Sequence, residues 1–239
     1  MELESCTDGT AVKEVIELPC RLRLSKEVKI GHNCYAVALH EDIIYVGNGL
    51  NGHISRILPD YTVEPSYIKV SGDANGIVID SRDIIYILSF QRAYWTVFTH
   101  QLTTKATLKN WQHYDNCRYT NGLALVGDKI IVPNRQNDIL TVYRTSGSLS
   151  KTIYCHNLLG DGAVSICSFG DDSVIVSACS TFRVFRVNVL SGERMWIYHH
   201  RTHPGGVVPC GPKYIILADL PSDLTSFVVI EGKFGESIH

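Results

Sequence analysis

One unit recurs five times along this chain, and no other feature constrains its fold as tightly. Each copy opens on a small apolar strand: Ala36 to Leu39, Gly76 to Ile79, Gly122 to Leu125, Ala163 to Ile166 and Gly206 to Val208. Successive openings lie 40, 46, 41 and 43 residues apart. A polar turn follows, such as Glu41-Asp42 or Gly170-Asp171-Asp172, and then a β-branched run such as Ile84 to Leu88 or Ser173 to Val176. These runs are too short for helices and too rich in Ile and Val; such residues pack well in strands buried on both faces. The period matches one four-stranded blade of a β-propeller.

The predicted fold is therefore all-β, with five clear four-stranded blades near 33–72, 73–118, 119–160, 161–203 and 204–239. The fifth carries three convincing strands of its own. A disordered tail is expected over 1–11 and a partial blade over 12–32, where two strands part near Pro19. Two closures fit this pattern. Five blades close on an N-terminal strand, or a six-bladed ring lacks half a blade; the preferred reading is the incomplete six-bladed ring.

Charge and composition narrow the function classes. The chain of 239 residues balances 22 basic against 24 acidic residues, for a net charge of −2. That balance does not advertise nucleic acid or an anionic membrane. No apolar run approaches the roughly 20 residues of a membrane helix. The polar, acidic start lacks the features of a secretory signal, so cytoplasmic residence is expected. Eight cysteines show no Cys-x-x-Cys spacing, and several sit inside apolar strands, which reads as buried free thiols.

The residues Ile30 to Ala38, followed by Asp42 to Val46, resemble a passage of the NHL-repeat propellers in invertebrate tripartite-motif (TRIM) proteins. Asn121 to Leu125, read on through Val132 to Ile139, is similar to the NHL consensus. In the slot where that consensus carries Asp, this chain has Asn48, Ser89, Asn134, Ala178 and Asp219, so only the last matches. The resemblance implies a propeller that serves as the target-recognition end of a TRIM-like ubiquitin ligase. The RING, B-box and coiled-coil segments of that family have no counterpart in this sequence. Some family members bind RNA through a basic face, which the near-neutral charge here does not favour.

The expected function is a non-catalytic binding module that presents loop tips rigidly to a protein partner. Binding-face candidates at the channel entry are Tyr35, Asn75, Tyr119, Asn121, Asp161 and His203. A second candidate is the segment from Trp111 to Arg118, where aromatics stand beside arginine as they do in interface anchors. No catalytic residue and no cofactor are assigned. A minority reading takes Asn75, Asn121 and Asp161, each before glycine at a strand entry, as ligands of Ca or Zn. This set resembles the metal site of gluconolactonase-like (senescence-marker-protein type) hydrolases, although the Glu of that site is not evident. Asn-Gly and Asp-Gly are also ordinary turn pairs. His199, His200 and His203 read as a solvated loop, because a four-residue ligand spacing needs a helix.

Overall fold

The computed structural model describes residues 34–49, 51–91, 94–113, 122–134, 137–155, 159–160, 164–199, 203–210, 214–220 and 227–231. Nineteen strands form five antiparallel sheets among them. The first sheet holds β1 (Cys34–His40), β2 (Ile43–Asn48), β3 (His53–Ile57) and β4 (Val63–Lys69). The second holds β5 (Asp73–Ile79), β6 (Ile84–Gln91), β7 (Tyr94–Gln101) and β8 (Thr107–His113). The third holds β9 (Ala124–Val126), β10 (Lys129–Asn134), β11 (Ile139–Arg144) and β12 (Leu149–Tyr154). The fourth holds β13 (Val164–Phe169), β14 (Ser173–Ala178), β15 (Arg183–Asn188) and β16 (Arg194–His199). The fifth has three strands among the described residues: β17 (His203–Cys210), β18 (Tyr214–Leu220) and β19 (Phe227–Glu231). Every sheet runs in chain order from its first strand to its last, as the blades of a propeller do. The predicted partial blade at 12–32 lies outside the described residues.

The core is divided among the blade interfaces. Ile85 and Ile87 of β6 point into a cluster shared with blade 1, beside Tyr45 and Ile54. Tyr86 and Leu88 of the same strand point into a second cluster, with Ile130 and Val132 of blade 3. Ile131 turns the other way and meets Val174 and Val176 of blade 4. Ile175 joins Phe169, Val184 and Val207 between blades 4 and 5. Successive strand residues face opposite sides, so an unbroken apolar run is what a strand between two blades requires. Among the described residues every apolar cluster draws on two blades.

Turn chemistry fits the predicted hairpins. Glu41 and Asp42 form a two-residue connection between His40 and Ile43, both with left-handed φ (48° and 62°), the conformation that matches strand twist. Asp80 organises the corresponding turn in blade 2. Its carboxylate accepts the backbone N–H of Arg82 and of Ile84 (2.9 and 3.0 Å), the Arg82 guanidinium (2.6 Å) and the Tyr86 hydroxyl (3.1 Å). Among the described residues no helix is long and apolar enough to cross a membrane.

Candidate functional site

The five innermost strands surround one cavity of about 580 Å³. Its wall takes residues from β1, β5, β13 and β17, with Gly122, Leu123 and Leu125 at and before β9. Among the described residues none that lines it carries a charge. Tyr35 (49% exposed), Val37 (59%), Leu39 (70%) and Val208 (59%) all line it. Half of the large apolar side chains that the described residues leave exposed therefore collect at one place, and contiguous apolar exposure marks binding surfaces.

Irregular pairing at the strand entries shapes this wall. The ladder between β1 and β2 slips between Cys34 and Ala36, leaving Tyr35 as the extra residue. The ladder between β5 and β6 slips in the same way between Ala74 and Gly76, leaving Asn75. In blade 5 the slip falls between Pro204 and Val207. A bulge re-aims the side chain of its unpaired residue, and Tyr35 and Asn75 both line the cavity. The Tyr35 ring lies over Gly49, where an added Cβ would stand 2.0 Å from a ring carbon.

Most polar groups of the wall are already engaged. The Ser168 hydroxyl donates to the Leu125 carbonyl (2.6 Å) and accepts the Leu125 N–H (3.1 Å), stitching β13 to β9. The Ser165 hydroxyl accepts the Val207 N–H (3.3 Å) and ties β13 to β17. Burial pushes the Cys167 thiol up to about 12, so it stays protonated and un-nucleophilic at neutral pH. Cys155 is pushed up to about 12 by the same cause, and Cys34, Cys155, Cys167 and Cys179 are all free thiols.

Tyr35 and Asn75 reach the channel from strand bulges rather than from loop tips. His203 is also placed in a strand: it opens β17 and pairs with Leu220, which corrects the loop expected at this histidine. The β17 register absorbs the Pro204-Gly205-Gly206 stretch as an irregularity instead of ending there. His199 closes β16 opposite Arg183. Trp111 lies within β8 and is buried, 9% exposed, with its ring centroid 5.3 Å from that of Tyr143. It fills the interface between blades 2 and 3, where Trp95 meets Tyr143 edge-on at 5.7 Å. Tyr119, Asn121, Asp161 and Arg118 lie outside the described residues, as does two thirds of the Asn75, Asn121 and Asp161 ligand set. Sequence reasoning missed Val37, Leu39 and Val208. The available signal was Ala36-Val37-Ala38-Leu39, a strand apolar on both faces.

No protein-family model matches the chain, and no curated protein matches it in sequence. Solved structures do match in shape. A catalytically inactive virginiamycin B lyase from Staphylococcus aureus, with quinupristin, aligns at a TM-score of 0.57 and 13% identity. That alignment covers 92% of this chain and 73% of the lyase. Hydrazine synthase from Kuenenia stuttgartiensis aligns at 0.63 and 16% identity, over 89% of this chain and 67% of that one. A chain of a nidogen/laminin complex aligns at 0.56 and 15% identity, over 69% of this chain and 63% of that one. At these identities the likeness is one of fold, and the sheets, their order and these neighbours together make the chain a β-propeller.

Proposed function

We propose that this propeller is a protein-binding module whose central cavity receives apolar side chains from a partner. The supporting observation is the group of exposed Tyr35, Val37, Leu39 and Val208 around an uncharged wall. Burying one such side chain contributes about 1.5–3 kcal/mol, and a rigid wall loses little ordering entropy on docking. Among the described residues Asn75 is one polar group of the wall placed to orient an incoming chain. A phosphate backbone would need cations in the wall, and the described lining offers none. Recognition of a ubiquitylation target, as in TRIM-like ligases, is the finer form of this reading. The nidogen/laminin relative, solved in a protein complex, is compatible with partner binding on this fold.

A photo-crosslinking residue at Val37 in the full chain tests the reading. The expected result is a discrete protein adduct that disappears in Leu39→Asp while the melting temperature holds. Adducts to RNA alone, or adducts indifferent to Leu39→Asp, would refute it.

A further inference from the structure

A second group of chemistry-bearing residues lies where the turn of blade 1 meets the turn of blade 2. His40 ends β1, Glu41 begins the turn that follows, and Asp83 ends the turn before β6. The His40 Nε2 lies 2.8 Å from Asp83 Oδ1. One ligand atom from each of the three residues lies within 4.8 Å of the others. His40 is half-buried and Glu41 is exposed. A cavity of about 140 Å³ adjoins them, lined by all three and by Tyr45, Arg56 and Tyr67.

We propose that His40, Glu41 and Asp83 bind a zinc ion that bridges blades 1 and 2. Zinc bonds of about 2.0–2.1 Å in a tetrahedron set their donors about 3.3 Å apart. The His40–Asp83 pair at 2.8 Å lies a little inside that value, and a ligand atom of Glu41 lies within 4.8 Å of both. Binding replaces the His40–Asp83 hydrogen bond with two metal bonds, and the adjoining cavity has room for water as the fourth ligand. Two carboxylates neutralise the ion's charge. The nearest cation in the cavity wall is already committed: Arg56 pairs with Glu64 and stacks on Tyr67, 3.9 Å from the ring centroid. Lys105 lies over the same ring at 4.1 Å. One imidazole with two carboxylates suits zinc, and falls short of the six to eight oxygens that calcium takes. This site is separate from the Asn75, Asn121 and Asp161 set and does not depend on the partner-binding reading.

The test uses the untagged full chain, stripped of metal and titrated with Zn²⁺, Ca²⁺ and Mg²⁺. The melting temperature should rise with Zn²⁺ at one equivalent and stay flat with the other two. Glu41→Gln should weaken binding at least ~10-fold without moving the metal-free melting temperature, because Glu41 is exposed; loss of an outer-shell partner alone costs about 10–100-fold in metal affinity, and a direct ligand should cost no less. Asp83→Asn should abolish the zinc shift. The Co²⁺-loaded chain should show no thiolate charge-transfer band. With eight cysteines and nine other histidines to compete, such a band would assign the metal to a cysteine site. That band, a zinc shift surviving Asp83→Asn, or no zinc shift at all would each overturn the proposal.

Discussion

His100 is the residue at which burial and titration conflict most directly. It is 5% exposed, its Nδ1 lies 3.3 Å from the Thr107 hydroxyl, and desolvation holds its pKa below the ordinary 6.5. The folded state thus binds fewer protons than the unfolded chain just below that value. Stability is complete above pH 6.5 and falls as the pH drops through the window beneath it. Asp80 acts lower. Burial alone would raise its carboxyl, but Arg82, the N–H groups of Ile84 and Arg82, and the Tyr86 hydroxyl hold it below 3.8. Its contribution is present above 3.8 and is lost as the pH falls through its folded value. Urea midpoints across pH should show two acid-labile steps, and His100→Gln should remove the upper one. An unchanged upper step would show that another group controls it.

At the scale of the element, the strands were legible and their irregularities were not. Alternation and β-branching pointed to strands with two buried faces, and Ile85 to Leu88 divide between two clusters accordingly. The bulges at Tyr35 and Asn75 leave no mark in composition, because a slipped register depends on the partner strand. The same holds for His40 and Asp83, 43 residues apart in sequence, which only blade packing brings together. The loop expected at His203 is strand instead: glycine and proline usually break strands, but the irregular register of β17 tolerates Pro204 to Gly206. Close approach of inner strands is a further hidden constraint. A Cβ on Gly76 would stand 2.9 Å from the Gly122 Cα and from the Leu123 backbone nitrogen. Gly76→Ala should therefore force blades 2 and 3 apart, at about 1–3 kcal/mol typical of overpacking, measured as a lowered urea midpoint at constant slope. A neutral result would mean that the inner strands spread freely.

For the whole molecule, the interface clusters predict an order of local stability. The middle blades pack on both sides, so β6, β10 and β14 should show the slowest amide exchange. The outer strands β4 and β12, with exposed residues along their length, should exchange fastest. β2 should fall between, since Ile43 and Ile44 are only half-buried where β14 is buried throughout. Exchange measured by mass spectrometry would refute this picture if β2 matched β14. Shared clusters also bear on synthesis. Each blade covers its second apolar face only when the next emerges, some 40 residues later, which takes about 2–8 s at 5–20 residues per second. Until then the newest blade presents to the cell the face it will later hide. A pause in translation between blades would lengthen that exposure, so the chain's vulnerability to aggregation is set by the ribosome's pace as much as by the finished ring.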